Sequence, residues 1–133
     1  ATSGIPVGVV VGFEPLRSNL NLPSSYKDTS GTDRVVYVAD DPNTLFSVNC
    51  TVALDANDVG LNVSLGTFTG STTTGLSNTV VDGDTEATTA TLLCRIVGFV
   101  ESPDNDPALA NSQVIVKFIR HAYIVDTSAS AGV

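Results

Sequence analysis

Apolar residues along this chain come in short runs, and the clearest of these alternate with polar residues at a period of two. Residues 45–52 (LFSVNCTV) place Phe46, Val48, Cys50 and Val52 on one face and Ser47, Asn49 and Thr51 on the other. That is the pattern of a strand with one face in a core and one in polar surroundings. Residues 113–123 (QVIVKFIRHAY) put Val114, Val116 and Phe118 on one side, with Gln113, Ile115, Lys117, Ile119 and His121 on the other. The mixed second face predicts partial cover by a loop or another subunit. Residues 92–100 (LLCRIVGFV) predict a further long strand, with Leu92, Cys94 and Ile96 sharing its apolar side. Residues 8–13 (GVVVGF) and 34–39 (RVVYVA) are near-continuous apolar runs, the second apolar enough to be covered on both faces. A short strand is expected within residues 61–68.

Turn chemistry separates these runs. Asp40-Asp41-Pro42-Asn43 must interrupt a ladder, because proline has no N–H and Asp and Asn bond their own backbone. Residues 55–60 (DANDVG) predict a helical turn or tight loop capped by Asp55. Asp82-Gly83-Asp84-Thr85-Glu86 predicts an exposed hairpin tip. Residues 17–31 are polar, aperiodic and longer than a hairpin turn, so they predict a surface arm or binding loop. Residues 101–111 form a second irregular segment, with two prolines and three acidic side chains. The small, polar tail at 126–133 is expected to fray. No helical apolar stripe, repeat or linker is visible. The expected fold is one all-β domain over residues 1–133: an antiparallel β-sandwich or barrel, jelly-roll-like, with long loops. Its expected core is Phe46, Val48, Val52, Leu92, Ile96, Val114, Val116 and Phe118.

Composition narrows the function. Charged residues make up 15% of the 133, against about a quarter in ordinary soluble domains. Yet the net charge is −8, and the six basic residues are dispersed. A surface that neutralises phosphates needs clustered Lys and Arg, so no nucleic-acid partner is expected. No apolar run approaches the roughly 20 residues of a membrane span, and the opening ATSGIPVGVVVGF lacks a basic n-region, so no membrane partner is expected either. Cys50 and Cys94 each fall on the apolar parity of their strand, which predicts two reduced core thiols; a structural disulfide between them is the other reading.

Candidate chemistry is sparse. His121 is the one histidine, and with no identifiable Ser or Cys partner it reads as structural. Asp55, Asn57 and Gly60 echo the start of a calcium loop, but Val59 takes a ligand position and Gly66 stands where a bidentate Glu is required. Asp82, Asp84 and Glu86 read as a solvated turn rather than a cation site. The tripeptides Asn49-Cys50-Thr51 and Asn62-Val63-Ser64 match glycosylation acceptors, which mean little without a secretory context. No phosphate-binding glycine loop, HExxH, GxSxG or spaced Cys/His set occurs. Neither enzymatic activity nor a cofactor or metal is expected.

The order of markers is more telling: a strand, then Asp40-Asp41-Pro42-Asn43, then an alternating strand; later a strand, then Pro103-Asp104-Asn105-Asp106, then a strand ending near His121-Ala122-Tyr123. This order, over residues 8–123, resembles the small cement or decoration proteins that reinforce the capsids of tailed bacteriophages. The resemblance implies a non-enzymatic virion protein on the capsid exterior, assembled in the host cytoplasm. Its implied partners are the major capsid protein and sister copies in a dimer or trimer. Contacts are expected from three irregular segments, through Arg17, Asn19, Asn21, Tyr26 and Lys27; Asp40, Asp41, Pro42 and Asn43; and Pro103, Asp104, Asn105 and Asp106. The competing reading is a secreted pilus or fibre subunit, or adhesive β domain, which would carry a Cys50–Cys94 disulfide. A carbohydrate-binding module ranks third, because the chain has no Trp and few aromatic platforms.

Overall fold

The computed structural model describes residues 4–21, 24, 33–66, 69–71 and 73–124. Among them are seven strands and no helix: β1 (Val9–Phe13), β2 (Val36–Ala39), β3 (Leu45–Asn49), β4 (Asn62–Gly66), β5 (Val80–Ala87), β6 (Cys94–Phe99) and β7 (Gln113–Phe118). β1 and β2 form a two-stranded ribbon, and the rest form a five-stranded sheet in the order β3-β7-β6-β4-β5. Every pairing within the two sheets is antiparallel. The all-β expectation holds.

Alternation in β3 and β7 builds the core as the sequence predicts. Across that pair Phe46 stands opposite Val116 and Val48 opposite Val114. On the other side of β7, Cys94 faces Phe118 and Ile96 faces Val116. A bulge between Ile96 and Gly98 then brings Phe99 opposite Val114, so the inner face stays apolar past the glycine. Ile96, Val114, Val63 and Val81 are wholly buried, and Phe46, Val48 and Val52 pack against them while partly exposed. The Phe46 and Phe118 rings meet edge to face at 5.4 Å.

The larger sheet curls until its edges touch at one point. Cys50, just past β3, forms a parallel bridge with Val81 in β5. There the Thr51 N–H donates to the Val81 carbonyl at 2.9 Å. No other bridge joins the two edges among the described residues, so the sheet does not close into a barrel. Gly83 belongs to this seam: a Cβ there would run into the Val52 side chain and lie 2.8 Å from Cys50 Sγ.

Several local expectations need correction. Residues 82–86 are not a hairpin tip but the middle of β5, the longest strand. Val81 and Gly83 point inward and Asp84 and Glu86 outward, and the inner glycine hides the alternation. Leu92 is only half-buried, while Leu93 and Cys94 both lie in the core. β6 begins at Cys94, so the bend before it breaks the period on which Leu92 was placed. β7 stops at Phe118, and His121 returns to the interior after a bend instead of continuing along the outer face. Residues 34–39 are not covered on both faces, because they pair with β1 outside the larger sheet. The tail at 126–133 lies outside the described residues.

Ile96→Ala should lower stability by about 2–5 kcal/mol, as truncation of a fully buried aliphatic chain does, and Leu92→Ala should cost clearly less. Denaturant unfolding of both variants checks this; equal losses would return Leu92 to the core.

Candidate functional site

The β1–β2 ribbon is built from apolar residues, most of which stay exposed. Its register runs Val9 to Ala39, Val10 to Val38, Gly12 to Tyr37 and Phe13 to Val36, with a bulge between Val10 and Gly12. Successive strand residues point to opposite faces. Val10 is 54% and Val11 66% exposed, and Val36 and Tyr37 are 42% and 50% exposed. Both faces of the ribbon are therefore open. Neither ribbon strand closely approaches a strand of the larger sheet, and neither contains a charged residue. Ile5 and Val7, also exposed, extend the same surface ahead of β1.

Specific contacts hold the ribbon's two ends. At its base, Gly8 has φ +156° and lies so close to the Ala39 carbonyl that a Cβ would overlap it. The Ala122 N–H donates to the Pro6 carbonyl at 2.9 Å, tying the segment before β1 to the turn after β7. At its tip, the Glu14 N–H donates to the Val35 carbonyl (2.9 Å) and the Phe13 N–H to the Ser24 carbonyl (2.8 Å). The Arg34 guanidinium lies 5.4 Å from the Phe13 ring centre and donates to the Glu14 carbonyl at 3.0 Å.

The predicted contact residues fall in three places. Arg17, Asn19 and Asn21 are exposed beyond the ribbon tip. Their turn is closed by the Asn19 N–H on the Leu16 carbonyl (3.1 Å) and the Asn21 N–H on Asn19 Oδ1 (3.2 Å). Tyr26 and Lys27 lie outside the described residues. Asp40, Asp41 and Asn43 are exposed and Pro42 half-buried where the ribbon joins β3. Asp41 Oδ1 accepts the Asn43 N–H at 2.8 Å, and Lys117 Nζ donates to Asn43 Oδ1 at 2.9 Å. Pro103, Asp104 and Asp106 are exposed at the opposite end of β7. Between them Asn105 works as a clamp. Its Nδ2 donates to the Val100 and Gln113 carbonyls (2.8 and 2.9 Å), and its Oδ1 accepts the Gln113 N–H at 2.6 Å.

The first two groups thus flank the ribbon. The third sits about six strand residues away, roughly 20 Å along β7. Asn105 and Asp41 each have an evident structural task in their turns, whereas Arg17, Asn21 and Asp104 are exposed.

A feature with no sequence signal lies beside the ribbon base. An open cleft of about 680 Å³ runs between Gly8, Val9 and Val10 and the larger sheet, where Phe46, Ser47, Val48, Asn49, Leu65, Ser77, Thr79, Cys94, Val116 and Phe118 line it. None of these residues is charged. Both parities of β3 are present, so the cleft follows the strand's edge and not one face of it.

The carboxylates lie elsewhere. Partial burial, then the nearby Asp58 and Asp55 and a hydrogen bond with Asp58, then Asp84, hold the Glu86 carboxyl above its ordinary range. Among the described residues no three His, Cys, Asp or Glu side chains are grouped to hold a metal ion. Cys50 and Cys94 are buried and unbridged. Burial raises both thiols, that of Cys94 to about 12. His121 is buried, accepts the Tyr123 N–H on Nδ1 at 3.1 Å, and packs against the Phe118 and Tyr123 rings. These contacts make it a brace for the turn after β7.

What the fold and surfaces define is a small all-β protein that exposes an uncharged apolar ribbon. Comparison with protein-family models, curated proteins and solved structures finds no match to the chain.

Glu86 provides a test of the acidic surface. A carboxyl whose value is raised by folding holds its proton more tightly in the folded state. Stability therefore falls as pH rises from the ordinary carboxylate range through the raised value. Glu86→Gln should melt at a higher temperature than the parent protein at pH 7, and the gap should close in acid, once the parent carboxyl is protonated. A gap of constant size across that range in thermal melts would contradict the assignment.

Proposed function

We propose that this chain is a non-enzymatic virion protein that binds the outer surface of a tailed-phage capsid and stabilises the lattice of its major capsid protein, with sister copies as further contacts. The observation that carries this reading is the ribbon. A protein that leaves two apolar strands open on both faces presents a surface suited to cover by protein, since contiguous exposed apolar area marks interaction sites. Arg17, Asn19 and Asn21 at one end of the ribbon and residues 40–43 at the other supply a polar rim. The marker order around residues 40–43 and 103–106, which resembles that of capsid cement proteins, directs the reading to a phage shell. The net charge of −8 suits the solvent side of such a shell and not its genome side, because it repels phosphates.

The mechanism is linkage. A subunit that binds the assembled lattice, and not the separated capsid subunits, shifts the equilibrium toward assembly by its binding free energy. Catalysis and a bound cofactor have no role in this. Assembly in the host cytoplasm agrees with unbridged thiols at Cys50 and Cys94. The fibre-subunit reading calls instead for a disulfide between them, so no observation favours it.

Purified chain added to capsids lacking it should co-sediment to a saturating, stoichiometric level. Replacing Arg17, Asn19 and Asn21 together by Ala should lower occupancy tenfold or more without changing the circular dichroism of the free chain. Salt-sensitive DNA binding without capsid binding would contradict the proposal.

A further inference from the structure

We infer that the ribbon of one copy docks in the uncharged cleft of a second copy, against the edge of its β3. This deepens the reading above, resting on its expectation that sister copies touch: it gives the ribbon to the sister copy and leaves the polar residues at the ribbon's ends to the shell.

Three observations lead to it. First, the area is sufficient. The exposed parts of Ile5, Val7, Val35 and the two ribbon strands together amount to roughly 800 Å², the share one partner contributes to a standard interface. Because that area is divided between two faces, a flat partner covers only half of it. A cleft covers both.

Second, the cleft runs along a sheet edge. β3 is the end strand of the larger sheet, paired with β7 on one side, and among the described residues its one bridge toward β5 lies beyond its end, at Cys50 and Val81. Ser47 and Asn49 line the cleft beside Phe46 and Val48, so an entering strand meets main-chain groups as well as apolar side chains. Edge strands are the usual places where another chain adds to a sheet. β2 likewise pairs with β1 alone among the described residues.

Third, the electrostatics select the occupant. Two copies each carrying −8 repel one another wherever charged surfaces meet. Ribbon and cleft lining both carry no charge in this acidic chain. An occupant recognised by charge, such as a polyanion or a basic peptide, finds nothing there to bind. The chain's own ribbon cannot fill the cleft, because its base already forms one wall of it. A second copy supplies the matching apolar strand pair, and since each copy holds both surfaces, a two-fold pairing satisfies both at once.

The test uses the purified full chain and two exposed substitutions, Val11→Asp on the ribbon and Ser47→Glu in the cleft. Circular dichroism verifies that each variant is folded. Light scattering coupled to size-exclusion chromatography should give the parent a mass that is a multiple of 13.7 kDa. Each variant should give the single-chain mass at the same concentration, a drop of twofold or more. As a second readout, Val11→Cys and Ser47→Cys chains mixed under mild oxidation should form a mixed disulfide, the native thiols being buried. A parent that is monomeric at every concentration overturns self-association altogether and leaves the ribbon to the shell protein. A parent that oligomerises, with either variant equally oligomeric and no mixed disulfide formed, overturns the ribbon-to-cleft contact while sparing self-association.

Discussion

Val114, Val116 and Phe118 project from β7 into the concave side of the larger sheet, where Phe46 and Val48 meet them from β3 and Cys94 and Ile96 from β6. The other described elements of this sheet arrange themselves around that packed face. Burying it requires β3 and β6 to flank β7 in fixed register, since a slip of one residue would turn the apolar set outward. The registered strands in turn place residues 40–43 and 101–111 at opposite ends of β7. The same face draws the sheet into a curl, because Val63 and Val81 must reach the core from β4 and β5. The curl ends where Cys50 meets Val81, and Gly83 permits that meeting by contributing no side chain.

A sheet that curls without closing leaves two kinds of unfinished business. Among the described residues β3 is a sheet edge with a strand on one side only, beside an uncharged cleft, and the β1–β2 ribbon keeps apolar side chains exposed. Both features are costly in an isolated chain, and exposed edges invite association. Their joint presence in an acidic protein with few charged residues, none of them in the ribbon or the cleft, is the physical basis for reading the molecule as a component of an assembly. An acidic surface repels other acidic surfaces, so contact between copies would have to use neutral ones.

Much of this was legible in residue order. The alternation of residues 45–52 and 113–118 specified two strands and half the core, because one buried face imposes a period of two. Proline and Asx chemistry marked the turns at 40–43 and 101–111 for the same local reasons that the structure displays. Three things were hidden. β5 escaped notice because Gly83 occupies an inner position and acidic residues occupy outer ones, so its composition imitates a turn. Leu93 displaced Leu92 because a bend before β6 changes the phase, and phase beyond a bend depends on the tertiary path. The cleft is formed by segments far apart in the chain, so no local pattern announces it. Residues 34–39 are the instructive case. Their continuous apolar run did signal a need for cover on both faces, but the described residues do not provide that cover.

The central claim is that the ribbon is a surface made to be covered by protein. Hydrogen–deuterium exchange read by mass spectrometry, on dilute free chain and on chain assembled into its particle, tests it most directly. The account predicts that amides of β1 and β2 exchange much faster than those of β6 and β7 in the free chain, since few buried contacts protect them. On assembly they should slow by tenfold or more, while β6 and β7 remain nearly unchanged. Ribbon amides that exchange equally fast in both states would contradict the account.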